Sequence, residues 1–166
     1  DATIISANAS TSGAGGKIVL WSDIKDKNSI TTVNGSLFAK GIDGDGGKIE
    51  TSGSVINTDR IIVNASSKLS RGGLWLIDPY DYTIDATAVS NITSALNSGT
   101  SVTVATSADN SNYGSGGSSS GNGDITITSN LQTTADSSTS ATLTLTAARH
   151  ITLNNGVSIT DINSHS

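Results

Sequence analysis

The sequence has no cysteine, no methionine, a single proline and few aromatics: two Trp, three Tyr and one Phe in 166 residues. Each shortage excludes something. Without cysteine there is neither a disulfide framework nor a thiolate zinc site. Hydrophobic residues make up 34% of the chain, below the usual globular share, and aromatics only 4%. The nine Lys and Arg are scattered against fourteen Asp and Glu, for a net charge of −5. No basic stripe exists to track a phosphate backbone, and nucleic acid is not an expected partner. No apolar run approaches the roughly 20 residues of a membrane-spanning helix. No secretory signal opens the chain. A start at Asp1 without any Met is what a piece of a longer polypeptide shows, with its targeting signal elsewhere.

What is abundant is Gly, Ser, Thr, Asn, Asp and small aliphatics. Disorder is the first reading of such a composition, but a disordered chain carries few β-branched residues and more charge. Here Ile, Val and Thr come in short alternating runs: Lys17-Ile18-Val19-Leu20-Trp21, Arg60-Ile61-Ile62-Val63, Leu74-Trp75-Leu76-Ile77, Ser101-Val102-Thr103-Val104, Asp124-Ile125-Thr126-Ile127 and Thr142-Leu143-Thr144-Leu145. A period of two puts aliphatic chains on one face of a strand and hydroxyls on the other. Turn signals separate the runs, among them Gly15-Gly16, Gly46-Gly47, Gly72-Gly73, Asn122-Gly123 and Asn155-Gly156. Strands too narrow to bury their own apolar face, recurring at intervals of some 26 to 31 residues from one Gly-Gly pair to the next, are the signature of a solenoid. The expected fold is all-β, a parallel β-helix, as a single domain over 1–166.

Two segments depart from the strand pattern. Val89, Ile92 and Leu96 fall at helical spacing with Gly99 as a stop, which predicts one short helix near 87–97, capped by Asp85 or Thr87 and closing an end or side of the solenoid. Residues 107–123 are Gly/Ser-rich and read as a flexible loop, the one candidate internal boundary.

The fragments "GGKIVLWSD" at 15–23, "GDGGKIETSG" at 44–53, "GGLWLIDPYDYTID" at 72–85, "SALNSGTSVTVAT" at 94–106 and "GNGDITITSNL" at 121–131 resemble the repeat body of filamentous-haemagglutinin-type exoproteins, adhesins exported by two-partner secretion in Gram-negative bacteria. The resemblance spans about residues 13 to 160, and the Trp-Leu-Ile-Asp-Pro stretch is its most specific part. It implies a right-handed parallel β-helix, secretion to the cell surface through an outer-membrane transporter that handles the full-length protein, and a structural or adhesive role without enzymatic activity or cofactor. The asparagine-rich motifs of that family's N-terminal secretion domain do not occur here, which points to the shaft rather than the region the transporter recognises.

The window 71–85 concentrates bulk and carboxylates: Trp75, Asp78, Pro79, Tyr80, Asp81, Tyr82 and Asp85. One reading is an acid–base or metal cluster of the three aspartates, as in a polysaccharide lyase or glycosidase built on a β-helix. That reading requires an exposed carboxylate pair about 5–9.5 Å apart for hydrolysis. The other is a corner of the coil, where Pro79 ends a strand, Asp78 and Asp81 satisfy turn amides, and Trp75, Tyr80 and Tyr82 cover the core. The corner is the expectation. Asp78-Pro79 is also the peptide bond most easily broken by acid.

Other candidates are thinner. Asp43 and Asp45 lack the third carboxylate of a calcium loop and are at most a weak cation site. His150 and His165 have no visible triad or ligand partners. Glycan stacking, the expected binding chemistry for a host or bacterial surface receptor, falls to Trp21, Tyr80, Tyr82 and Tyr113, with Trp75 expected to be buried. Asn8, Asn34, Asn64 and Asn91 begin Asn-x-Ser/Thr triplets, permissive for glycosylation, although so Ser/Thr-rich a chain produces such triplets by composition alone. A subunit polymerising end to end through its open sheet edges is the remaining alternative.

Overall fold

A computed structural model describes residues 3–24, 26, 28–107, 123–134 and 140–162. The Gly/Ser-rich segment between Ser107 and Gly123, Tyr113 and His165 lie outside the described residues. The elements in chain order are β1 Thr3–Ser6, β2 Lys17–Trp21, β3 Ile30–Phe38, β4 Lys48–Ser52, β5 Val55–Asn64, β6 Leu74–Asp78, β7 Tyr82–Ile84, α1 Ala86–Asn97, β8 Ser101–Ala105, β9 Ile125–Ile127, β10 Leu131–Thr133, β11 Leu143–Thr146, β12 Ile151–Leu153 and β13 Ile159–Asp161.

Every strand pairing among them is parallel. The strands stack into four sheets, ordered β1-β3-β5, β2-β4-β6-β8-β11, β7-β9-β12 and β10-β13. The chain is a β-solenoid of about five turns, a parallel β-helix as expected. A parallel neighbour cannot be reached by a hairpin. Here each return is one circuit of the coil.

Register converts alternation into interior columns. Ile18, Ile49, Trp75, Val102 and Leu143 lie one above another, as do Leu20, Thr51, Ile77, Val104 and Leu145. On the neighbouring sheet Tyr82, Ile125 and Ile151 form a third column and Ile84, Ile127 and Leu153 a fourth. In the middle coils these side chains are fully or almost fully buried, each worth roughly 1.5–3 kcal/mol of transfer free energy. Thr51 interrupts an aliphatic column for a reason. Its hydroxyl oxygen accepts the indole N–H of Trp75 at 3.1 Å, so a fully buried Trp keeps a partner for its one polar atom. No buried side-chain polar atom among the described residues lacks a hydrogen-bond partner.

The Gly-Gly pairs are corners. The second glycine of each pair donates its N–H to an alanine carbonyl of the same coil: Gly16 to Ala7, Gly47 to Ala39 and Gly73 to Ala65, all at 2.7 Å. A Cβ on Gly46 would stand 1.7 Å from the Ala65 oxygen, and one on Gly72 1.7 Å from the Gly99 oxygen. These positions are glycine because of close backbone approach, not because of an unusual φ.

α1 runs one residue beyond the expected start. Asp85 caps it by accepting the Ala88 N–H at 2.9 Å, and Gly99, at φ +87°, follows its end. Ala88, Ile92, Ala95 and Leu96 face the core. The helix sits mid-solenoid on its side, packed against both β5 and β10. It takes the place of one strand, so sheet β1-β3-β5 stops below it and β10-β13 begins above it. The Asn91 side-chain amide donates to the Thr58 carbonyl at 2.6 Å, tying the helix to β5.

Polar side chains staple one coil to the next. Asn8 Oδ1 accepts from the Lys40 N–H, Asp45 Oδ1 from Arg71, Asn130 Oδ1 from Ser158 and Asp124 Oδ1 from His150. Asp45–Arg71 and Asp124–Arg149 add ion pairs between the same coils.

Candidate functional site

The outer face of the five-stranded sheet is where chemistry-bearing side chains gather. Outward positions alternate with the buried columns. Val19, Glu50 and Leu76 are in register, as are Trp21, Ser52 and Asp78, and Lys17 lies beside Lys48. Trp21, on the edge strand β2, is 65% exposed, the aromatic most open to solvent among the described residues, and Val19 is exposed beside it. Lys48 Nζ stands 4.0 Å from Glu50 Oε2. The Asp78 carboxyl is half-buried and its pKa is raised, first by loss of solvent and then by the charge of Glu50, while the Ser52 hydroxyl acts in the opposite direction. Alongside runs a shallow groove floored by the Gly-Gly corners and flanked by Lys17, Lys48 and Leu74.

This face offers an indole ring, aliphatic patches and flanking carboxylates and ammonium groups. Such a set suits stacking and hydroxyl recognition. Of the three described aromatics expected to stack on sugars, Trp21, Tyr80 and Tyr82, only Trp21 is presented; the fourth, Tyr113, lies outside the described residues. Tyr80 is 4% exposed and Tyr82 8%. Both belong to the core; burial pushes the Tyr82 phenol up to about 12, against a lowering hydrogen bond with Thr58. They were candidates by residue type, but the corner after Pro79 turns them inward.

The three aspartates of the 71–85 window do not converge. Asp78 meets Ser52 of the preceding coil. Asp81 accepts from the Asp124 N–H of the following coil at 2.8 Å, and Asp85 caps α1. Pro79 follows the end of β6 and the aromatics are buried, as in the corner reading, and Asp81 also joins one coil to the next. Glu50, absent from the sequence-based candidates, is the carboxylate that faces Asp78. The 26-residue interval between Gly46-Gly47 and Gly72-Gly73 was the signal that could have placed them on adjacent strands.

Asp43 and Asp45 do not form a cation cluster. Asp43 accepts from the Gly13 N–H. Asp45 is held below the usual carboxylate range by hydrogen bonds from Ser70 and then Arg71. No group of three or more His, Asp or Glu positioned for a metal occurs among the described residues. His150 is exposed, its N–H on Asp124. Among the four Asn-x-Ser/Thr asparagines, Asn8 and Asn34 are exposed, Asn64 accepts from the Ser66 N–H and hydroxyl, and Asn91 is tied to Thr58.

Comparison of the chain with protein-family models, with curated proteins and with solved structures gives no significant match. No helix among the described residues is long and apolar enough to cross a membrane.

Proposed function

We propose that this chain is a structural and adhesive segment of a secreted bacterial surface protein, non-enzymatic, of the filamentous-haemagglutinin type. The observation that carries the reading is the exposed Trp21 on the outward face of a sheet whose inward columns run continuously through successive coils. Coil-on-coil stacking makes a shaft from nearest-neighbour contacts, and the outward face is a contact surface along it. The motifs at 15–23, 44–53 and 72–85 support the family reading, as does the parallel β-helix they imply. The partners are then a surface glycan or receptor on a host or bacterial cell and, for the full-length protein, the outer-membrane transporter that exports it. The test is binding of the 166-residue chain to a glycan array and to cells. Binding that Trp21→Ala weakens at least tenfold supports the reading; binding indifferent to Trp21, or none, removes it.

End-to-end self-association is a second reading. The first and last coils present exposed apolar side chains, Ile4 at 63% and Ile151 and Leu153 at 46%, beside sheet edges that have no neighbour among the described residues. Sizing at several concentrations tests it: a growing species supports it and a constant monomer ends it.

A further inference from the structure

We propose that Asp78-Pro79 is a self-cleavage site, its scissile carbonyl held by the Ser52 hydroxyl and the Gly53 N–H of the preceding coil. Both donors lie 3.2 Å from the Asp78 main-chain oxygen. The same Ser52 hydroxyl oxygen lies 3.5 Å from Asp78 Oδ2. Nucleophile and electrophile of one residue therefore meet on one neighbouring hydroxyl. Register puts them there, because Ser52 and Asp78 are paired in the β4–β6 ladder.

The chemistry balances with water as the only co-reactant. An Asp78 carboxyl oxygen attacks the carbon of its own main-chain carbonyl, closing a five-membered anhydride. The bond from that carbon to the Pro79 nitrogen breaks, and the carboxyl proton ends on that nitrogen, which leaves as a free secondary amine. Water then opens the anhydride and leaves Asp78 as a C-terminal residue with two carboxyls. Negative charge builds on the main-chain oxygen during the attack, where the two donors already point, and such preset donors stabilise that charge without reorganisation. At 3.2 Å they are long for the resting state and tighten as charge builds. Proline supplies the leaving group and carries no N–H that would hold the bond in a sheet ladder. Asp78 is half-buried, so water reaches the anhydride.

Proton supply sets the pH dependence. Burial and the facing Glu50 keep the Asp78 carboxyl protonated to higher pH than an ordinary aspartate. The charged groups facing it from β4 are Glu50 and the Lys48 beside it; β8, on the other side, presents no ionisable side chain in Ser101–Ala105. The carboxyl acts on itself once, so this is processing rather than turnover.

The experiment incubates the folded 166-residue chain from pH 4 to 7, and the same chain in guanidinium chloride, and follows fragments 1–78 and 79–166 by mass spectrometry. Cleavage is expected to rise as pH falls through the carboxyl's titration and to run faster in the folded chain than in the unfolded one at equal pH. Asp78→Asn abolishes it. Ser52→Ala slows the folded chain on the order of 10- to 100-fold, below the cost of losing an enzyme's oxyanion donor because Gly53 remains. Glu50→Gln, which leaves the hydroxyl in place, moves the profile to lower pH. Folded cleavage no faster than unfolded cleavage overturns the proposal whether or not the Ser52 variant folds, as does a folded Ser52→Ala chain that cleaves at the original rate.

Discussion

Ile127 and Leu153 are register partners in neighbouring coils, yet one is fully buried and the other 46% exposed. The contrast extends to whole coils. β4, β6, β8 and β9 have a coil on each side and bury their inward residues, whereas β12 and β13 are exposed at every position. The strands look alike in sequence, since Ile-Thr-Ile at 125–127 and Ile-Thr-Leu at 151–153 share one pattern. What separates them is a neighbour above. In a solenoid, burial belongs to the stack and not to the strand.

The two regions also close their corners differently. Between β1 and β6 the corners are tight Gly-Gly turns bonded to Ala7, Ala39 and Ala65. Beyond β9 no Gly-Gly pair recurs among the described residues, and coils are joined at Asp124–Arg149 and Asn130–Ser158. Side-chain staples join coils in both regions, but among the described residues only the first adds the close backbone approach of Gly-Gly corners.

Substitutions break or sharpen this contrast, the largest effect first. Trp75→Ala empties the widest position of a middle column and leaves the Thr51 hydroxyl with only its bond to the Leu76 carbonyl; a loss of about 3–5 kcal/mol is expected in denaturant unfolding. Ile127→Ala is expected to cost about 2–5 kcal/mol, but Leu153→Ala, one coil up the same column, below about 1 kcal/mol because half of the side chain is already in water. Equal costs would erase the distinction between coils. Gly46→Ala places a methyl against the Ala65 carbonyl and should cost about 1–3 kcal/mol or more. Gly156→Ala meets no atom within 4 Å and pays only for φ +79°, about 1 kcal/mol. Asp85→Ala, removing the α1 cap, should cost about 1 kcal/mol, read as lower thermal stability.

The smallest effect is in acid. Asp124 is held below the usual carboxylate range chiefly by the hydrogen bond from Arg149, and Asp45 by Ser70 and then Arg71. A depressed carboxylate contributes stability above its unfolded pKa and loses it as pH falls through the folded value, so these staples weaken below about pH 4. Both are solvent-exposed and screened. Hydrogen exchange at the His150 and Arg71 amides should show the loss, with the β6 amides unchanged. Asp78 runs the other way: its raised pKa favours the fold at acid pH, and that advantage fades as pH rises through the folded value.

Much of this was legible in the sequence. Alternation at 17–21, 74–77 and 101–104 gave strands, Gly-Gly pairs gave corners, and Val89, Ile92 and Leu96 gave the helix. What could not be read is whatever depends on the neighbouring coil. Thr51 looks like any outward Thr until Trp75 is seen above it. Ala7, Ala39 and Ala65 carry no signal alone, since their small size matters only where a glycine turn closes on them. Tyr80 and Tyr82 are as fit for a binding face as for a core, and only the turn at Pro79 decides. Trp21 was legible as a candidate; its pairing with Ser52 and Asp78 needed the register.

The most direct test is distance along the stack. Because the chain has no native cysteine, spin labels can be placed at Val19→Cys with Leu76→Cys, Thr103→Cys or Thr144→Cys, outward positions of one register row. Parallel stacking predicts separations that grow by about 4.8 Å per strand, with Thr144 the farthest from residue 19 at about 19 Å between backbones. A Thr144 pair closer than the Thr103 pair, as strands folded back on one another would give, contradicts the stacked columns.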